Sequence, residues 1–278
     1  ARKSASGYDL TGLFVGSEGT LGIITELTVR LQGQPEAVTA GVCAFDAIGP
    51  AVEAVVAVIQ MGIPMARIEF VDADTVRAVN GYSGTDLPEA PHLFVEFHGT
   101  EAGAEEDAKR FAEVVADFGA ADVRLATKTE DRTALWTARH HAYWACLASR
   151  PGSTAVVTDV CVPISRLAEA VEETRADIAE SPVAGPILGH VGDGNFHAIL
   201  LVDPDAPAEL EEAKRLAGRM ADRALRLGGT VTGEHGIGIG KSAYMPAEHG
   251  EGWAVMGDIK RALDPTGILN PGKLVPRQ

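Results

Sequence analysis

Two periodicities of apolar and polar positions alternate along most of the chain. Apolar residues at every second position predict a strand, and apolar residues at every third or fourth position predict a helix. From residue 37 the predicted elements are strand 37–46, helix 50–61, strand 65–71, a short helix, strand 92–98, helix 102–118 and strand 123–127. This βαββαβ order is that of a ferredoxin-like unit.

The same order of elements recurs later in the chain without sequence identity between the halves. After a helix over 129–148, the predicted elements are strand 153–162, helix 163–180, hairpin 186–202, helix 206–227 and strand 228–233. We therefore predict an α+β fold in which tandem βαββαβ units form a wide antiparallel sheet with helices on one face. Residues 7–31 predict a strand, a glycine turn and a strand, and the Pro- and Gly-rich residues 263–278 predict irregular structure.

Composition and charge narrow the class of protein. The 278 residues are 46% hydrophobic and 23% charged, which is typical of a globular protein. The net charge of −15 argues against nucleic acid and anionic membrane as partners. The three cysteines form no CxxC motif, so they predict reduced thiols rather than a disulfide framework, and with them a cytoplasmic location.

The segment HVGDGNFH (190–197) carries two histidines around a glycine-rich turn, which predicts a hairpin. A two-residue type I′ turn at Asp193-Gly194 would pair His190 with His197 across the ladder, as a metal-chelating pair. A turn at Gly192-Asp193 would instead pair His190 with Asn195 and lose that arrangement. A histidine pair of this kind can also be simply packed or solvated.

TGEHGIGIGKS (232–242) looks like a phosphate-binding loop but lacks the required spacing. A Walker A motif needs glycine where His235 stands, and the glycines are spaced GxGxG rather than GxGxxG. At the end of a predicted strand, Glu234 and His235 should point to opposite sides, so one would bind a metal and the other act as a base. Two histidines and a carboxylate form a typical catalytic set for Zn²⁺, Mn²⁺ or Fe²⁺.

Two further segments leave alternatives open. GSEGTLG (16–22) predicts either a tight turn between strands or a cradle of backbone amides for a cofactor phosphate or ring. LWTARHHAYWA (135–145) predicts a helix that carries Arg139. An arginine suits bidentate binding of a carboxylate, but it can equally form a surface ion pair.

Five segments, in this order, resemble the FAD-linked oxidases of the vanillyl-alcohol oxidase type: GYDLTGLFVGSEGTLGIIT, RPGSTAVVTDVCVPISRL, HVGDGNFH, TGEHGIGIGK and ALDPTGILNPGKL. Within that family the chain is most similar to the D-lactate dehydrogenases. The resemblance implies metal-assisted, flavin-dependent oxidation of a D-2-hydroxy acid, D-lactate first, to the 2-oxo acid. A glycolate oxidase flavoprotein subunit and a D-2-hydroxyglutarate dehydrogenase are the alternatives, and a metal- or ligand-binding module without activity is the alternative from another class.

The resemblance also implies a domain scheme. Residues 1–33 would be the C-terminal part of an FAD-binding domain, 34–264 a substrate or cap domain, and 265–278 a tail that returns to the FAD-binding domain. The chain would then hold remnants of the FAD-binding domain at both ends and would not turn over by itself.

The site residues follow from the same resemblance. FAD would contact Gly16, Ser17, Gly19, Thr20, Ile24 and Asn270. A divalent metal would be bound by His190, His197 and Glu234. His235 would be the catalytic base, Arg139 would meet the substrate carboxylate, and Asn195 would lie near the substrate.

The implied partners are a small 2-hydroxy acid and an electron acceptor. The acceptor would be a cytochrome, a quinone or an electron-transfer flavoprotein, and only through it would the protein associate with a membrane. A homodimer is left open.

Overall fold

The computed structural model describes residues 3–275, which divide into two compact units. One unit runs to Gln32 and resumes at Val231, and the other is Gly33–Thr230. The division at residue 230 differs from the predicted second boundary at 264. The assignment of the parts to flavin and substrate stays a prediction.

The described residues form ten α-helices and eight strands. The helices are α1 (Leu10–Phe14), α2 (Ile48–Gln60), α3 (Ala73–Ser83), α4 (Glu101–Asp117), α5 (Thr129–His140), α6 (Ala142–Ser149), α7 (Leu167–Ala179), α8 (Pro207–Arg226), α9 (Met245–His249) and α10 (Glu251–Leu263). The strands are β1 (Ala37–Ala44), β2 (Arg67–Val71), β3 (His92–Gly99), β4 (Ala121–Ala126), β5 (Thr154–Val157), β6 (Val160–Cys161), β7 (Ile187–Gly189) and β8 (Asn195–Val202). None of these helices is both long and apolar enough to cross a membrane.

The eight strands form one wide sheet within the unit Gly33–Thr230. Its order is β4-β1-β3-β2-β7-β8-β5, β6 pairs with β8, and the pairs are antiparallel. The predicted wide antiparallel sheet is thus confirmed. The predicted strand 228–233 is wrong, because only an isolated bridge between Thr230 and Cys161 forms there. The pair Gly228-Gly229, which follows α8, lacks the side chains that favour a strand.

Helices cover both faces of this sheet, so the predicted placement of all helices on one face is wrong. One core cluster joins α2, α4, α7 and α8 to the sheet, and another joins α3, α5 and α6 to it. Successive residues of one strand belong to different clusters: Ile199 and Leu201 face the second, and Leu200 faces the first. The apolar run of β8 is the sequence pattern of a strand buried on both faces.

Two predicted elements differ in the structure. No strand forms between residues 3 and 36; the first predicted strand is the short helix α1, capped by Asp9, whose Oδ1 accepts from Gly12 N at 3.0 Å. The alternating segment 23–31 pairs with no strand in the described part of the chain, so its ladder hydrogen bonds do not form. The predicted helix 129–148 is two helices, α5 and α6, which meet at His141.

Gly194, just before β8, offers a test of this local geometry. Its φ is +88°, and a Cβ there would lie 2.0 Å from Val162 O. We expect Gly194→Ala to lower the free energy of unfolding by about 3 kcal/mol, measured by urea denaturation, because backbone strain adds to a clash. Gly119→Ala is the control: φ is +81° but nothing lies within 4 Å of its Cβ. Gly119→Ala should lower the free energy of unfolding by only about 1 kcal/mol. An equal loss in the two variants would contradict the predicted clash at Gly194.

Candidate functional site

β7 and β8 form the predicted hairpin, but its register is not the predicted one. Leu188 pairs with His197, so the register places His190 opposite Asn195, as in the alternative turn. The predicted direct pairing of the two histidines is therefore wrong. The reason is tertiary: Gly194 O accepts from Val162 N at 3.1 Å, and Asn195 pairs with Cys161, so β6 holds this part of the backbone. The turn closes earlier, where Asp193 N donates to His190 O at 3.3 Å.

The two histidines are nevertheless neighbours. Their ring centroids lie 5.7 Å apart with an interplanar angle of 82°, and their candidate ligand nitrogens lie within 4.8 Å of each other. Diagonal positions across a strand pair are close enough for such side chains to meet. His197 is buried, and His190 is partly exposed. Within the unit Gly33–Thr230, the structure thus brings together the predicted metal ligands His190 and His197.

Hydrogen bonds assign the same tautomer to both rings. His190 Nδ1 lies 2.8 Å from Glu69 Oε1, and His197 Nδ1 lies 2.9 Å from Thr158 O. Both partners are acceptors, so in each neutral ring Nδ1 carries the proton and Nε2 the lone pair. Metal-binding histidines commonly donate their other N–H to a carboxylate or carbonyl in this way. The chemistry of the pair therefore fits a divalent ion.

Arg139 on α5 forms a largely buried ion pair rather than an exposed one. Its Nη2 lies 2.8 Å from Glu69 Oε2, with side chains 10% and 13% exposed. Arg139 Nε is buried without a hydrogen-bond partner among the described residues. Glu69 was missed in the sequence analysis. It could have been found from its position inside the predicted strand 65–71. A carboxylate is rarely buried unless it is paired, so a glutamate there indicates a charged or hydrogen-bonding partner.

Asn195 is buried, and one side of its amide lacks a partner. Nδ2 donates to Asp159 Oδ1 at 2.8 Å and to Val160 O at 3.2 Å. Oδ1 is buried and has no hydrogen-bond partner in residues 3–275. Buried acceptors are nearly always satisfied, so this atom suits a donor group of a ligand.

Glu234 and His235 belong to the other unit, on a loop rather than at a strand end. His235 Nε2 lies 3.7 Å from Glu234 Oε1, and both side chains are about half exposed. The prediction that they point to opposite sides is therefore wrong, because it assumed strand geometry that the loop does not have. Thr232 Oγ1 accepts from Gly236 N at 2.8 Å and helps to fold this loop.

In the same unit, the loop 16–22 contacts the glycine-rich loop 232–242 and the C-terminal NPGK segment. The Glu18 carboxylate accepts from Ile237 N at 2.6 Å and from Gly238 N at 2.8 Å. Asn270 Nδ2 donates to Glu18 O at 2.5 Å. No strands flank the loop, so the alternative of a tight turn between strands is wrong.

A cavity of about 470 Å³ lies along these loops. Its lining includes Ser17, Gly19, Ile24 and Asn270, which are four of the predicted flavin contacts. Gly19 has φ +69°, and a Cβ there would lie 2.8 Å from Asn270 Nδ2, so the close approach requires glycine. Of the other two, Gly16 has φ +80°, and Thr20 is buried with its hydroxyl bonded to Ser17 O at 2.6 Å.

A buried lysine supports this cavity. Lys260 Nζ on α10 donates to Thr20 O at 2.8 Å, to Leu269 O at 2.6 Å and to the Asp264 carboxylate. The hydrogen bond from Lys260 lowers the pKa of Asp264 to about 2, which keeps the carboxylate charged at neutral pH. The pair therefore fixes the loop after Thr20 to the segment before Asn270.

The cysteines take no part in these sites as nucleophiles. All three thiols are free, and burial raises the pKa of Cys43 and of Cys146 to about 12. Burial also raises the pKa of Cys161, and Asp193 and Asp159 raise it further. Thiols in this state are poor nucleophiles and poor metal ligands at neutral pH.

The chain is similar in sequence to named proteins of other organisms. The chain is 47% identical over 275 residues to the probable mitochondrial D-lactate dehydrogenase of Danio rerio, covering 99% of this chain and 55% of that protein. It is 43% identical over 277 residues to the mitochondrial D-lactate dehydrogenase [cytochrome] of Arabidopsis thaliana, covering 99% and 49%. The chain thus spans about half the length of these relatives. The predicted cytoplasmic location is wrong by this comparison, because both relatives are named as mitochondrial.

The fold is shared with solved structures of low sequence identity. The substrate-bound structure of p-cresol methylhydroxylase matches with a TM-score of 0.73 at 16% identity, covering 99% of this chain and 59% of that one. The 4-ethylphenol oxidase of Gulosibacter chungangensis matches with a TM-score of 0.68 at 15% identity, covering 89% and 55%. Residues 34–274 match the family model described as FAD linked oxidases, C-terminal domain. The chain belongs to this family of FAD-linked oxidases.

Proposed function

We propose that the full-length protein carrying this chain is an FAD-dependent dehydrogenase that oxidises D-lactate to pyruvate. The names of the relatives at 47% and 43% identity support the substrate, and membership of the family supports FAD. The single observation that carries the metal-assisted form of the reaction is the adjacent pair of His190 and His197, each with Nδ1 bonded to an acceptor.

The flavin contacts in this proposal are Gly16, Ser17, Gly19, Thr20, Ile24 and Asn270. The cavity lined by four of them supports the assignment. Gly16 has φ +80° and nothing lies within 4 Å of where its Cβ would be, which leaves room for a planar ring or a phosphate there. Lys260 and Asp264 would hold these contacts in place.

The divalent ion would be bound by Nε2 of His190 and His197 and by the carboxylate of Glu234, a donor set suited to Zn²⁺, Mn²⁺ or Fe²⁺. When bound, the ion would polarise the substrate hydroxyl and the flavin would accept the hydride from C2. His235 would take the hydroxyl proton on a ring nitrogen.

Arg139 and Asn195 would orient the substrate. The guanidinium retains N–H donors beyond the one given to Glu69, and a carboxylate is its natural acceptor. Asn195 Oδ1, a buried acceptor without a partner in the described structure, would accept from the substrate or from an ordered water.

The electron acceptor in this proposal is a cytochrome, because the Arabidopsis thaliana and Saccharomyces cerevisiae relatives carry that word in their names. A quinone or an electron-transfer flavoprotein is the alternative. The homodimer stays a prediction.

The test is a substrate panel on the full-length protein with an artificial electron acceptor. We expect D-lactate to give the highest kcat/KM, above glycolate and D-2-hydroxyglutarate, and a chelator to remove activity that added metal restores. A preference for glycolate would favour a glycolate oxidase subunit, the name of relatives at 35% and 33% identity. Bound metal without flavin or turnover would favour a binding module and contradict the proposal.

A further inference from the structure

One carboxylate contacts two residues to which the proposed function gives different tasks. Glu69 lies in the middle of β2, and its two oxygens bond to different partners: Oε1 to His190 Nδ1 and Oε2 to Arg139 Nη2, each at 2.8 Å. The three residues are 51 or more positions apart in sequence, so only the fold brings them together. The His190 and Arg139 contacts both lie within the unit Gly33–Thr230.

Each hydrogen bond fixes a property that the partner needs. A carboxylate is acceptor-only, so His190 must present Nδ1–H to it, and the neutral ring then carries its lone pair on Nε2. The ion pair holds the planar guanidinium of Arg139 in one orientation, and the side chains of the pair are 10% and 13% exposed, so water competes weakly. Both bonds go to the same carboxylate, which is held on a strand. A movement of His190 or of Arg139 that displaces this carboxylate therefore changes the position of the other residue.

We infer that Glu69 is a positioning residue that sets the ring of the proposed metal ligand His190 and the guanidinium of the proposed substrate-binding Arg139 together. The inference rests on the proposed function for the tasks of those two residues. The inference adds that substrate binding and metal binding are coupled, because the same carboxylate orients a residue of each.

The same sheet face provides a matched control. Glu96 on β3 is also buried and also lies between a histidine and an arginine, with His98 Nε2 at 2.7 Å and Arg67 Nε at 3.6 Å. Arg67 and Glu96 are cross-strand partners, as are Glu69 and Phe94, so the two glutamates lie on one face. Among residues 3–275, the side chain of Glu96 bonds to His98 and Arg67 and to none of the proposed site residues.

The experiment measures the affinity of the full-length protein for Zn²⁺ and Mn²⁺ by calorimetry, and then its steady-state kinetics with D-lactate. We expect Glu69→Gln to weaken metal affinity about 10- to 100-fold. At saturating metal, kcat should recover while KM stays raised, because Arg139 remains misplaced. Glu96→Gln should leave both quantities unchanged. A thermal melt of each variant separates these effects from a loss of folding.

A second variant tests the link from its other end. Arg139→Gln should weaken metal affinity although Arg139 is no ligand, and it should have no further effect in the Glu69→Gln background, a coupling that a double-mutant cycle measures. The Arg139→Gln variant also tests the inference if Glu69→Gln does not fold. Unchanged metal affinity in Arg139→Gln would overturn the inference.

The outcomes separate the inference from the proposed function. If the unaltered protein binds metal and oxidises D-lactate but Glu69→Gln behaves like Glu96→Gln, the inference is wrong and the proposed function stands. If the unaltered protein binds neither ion, the metal assignment and the inference fall together.

Discussion

If the proposed function holds, replacing His197 with alanine is expected to remove the proposed divalent ion from the full-length protein and to lower its turnover of D-lactate about 10³-fold. His197 is buried, its Nδ1 bonds to Thr158 O, and its ring centroid lies 5.7 Å from that of His190. Losing one of the three proposed ligands should leave a site too weak to hold the ion, and the loss of its Lewis-acid effect would cost about 4 kcal/mol of transition-state stabilisation. Metal analysis and steady-state kinetics measure the two effects.

His92 provides the control for this experiment. It is equally buried, its Nδ1 also bonds to a backbone carbonyl, Ala90 O at 2.8 Å, and it lies on β3 of the same sheet. Burial lowers the pKa of His92, so this ring is neutral at pH 7. His92→Ala should cost stability but keep metal and flavin. A His197→Ala protein with full metal content would show that the pair is only packed.

Replacing Lys260 with methionine is expected to strip most of the flavin from the full-length protein. The change leaves the Asp264 carboxylate in the interior without its cation, and it leaves the carbonyls of Thr20 and Leu269 without their donor. Removing one partner of such a pair is strongly destabilising, because the remaining charge is left uncompensated. The ratio of flavin to protein absorbance after purification measures the loss.

Lys214→Met is the matched control. Lys214 pairs with Glu211 at 2.7 Å on α8, but both side chains are largely exposed. Exposed pairs contribute about 0–1 kcal/mol, so flavin content should not change. In the double variant Lys260→Met/Asp264→Asn the buried charge is gone, and the amide oxygen can still accept from Ile268 N or Leu269 N, so part of the flavin should return. Normal flavin content in Lys260→Met would contradict the role of this pair.

The first half of the fold could be predicted almost element by element. The helical stripe of α4 depends on its own side chains, because the helix buries one set of positions and exposes another. In β1 both faces are buried, so its apolar residues and its length marked it as a strand. The strand expected at residues 228–233 and those expected near the N-terminus could not be predicted correctly, because a strand also needs a partner that its own residues do not specify. Helices on both faces could have been inferred from the unbroken apolar run of β8.

The candidate site could be predicted as a set of residues but not as a geometry. HVGDGNFH identified His190 and His197, yet the turn preference of Asp193-Gly194 gave a register shifted by two residues. The competing hydrogen bonds come from β6, which is distant in sequence, so the motif itself could not predict them. Glu69 was missed for the same reason, because nothing near it in the chain marks it as a partner of a histidine and an arginine.

By itself the amino-acid sequence determined the residue types at the sites, the order of most elements and the family. Those properties are local, since they follow from side-chain chemistry and from periodicity over a few positions. Only the tertiary structure decided which nitrogen of each histidine carries the proton, what Arg139 bonds to and how Lys260 supports the loop after Thr20. Each of these depends on a hydrogen bond between groups distant in sequence, and such bonds exist only once the chain has folded.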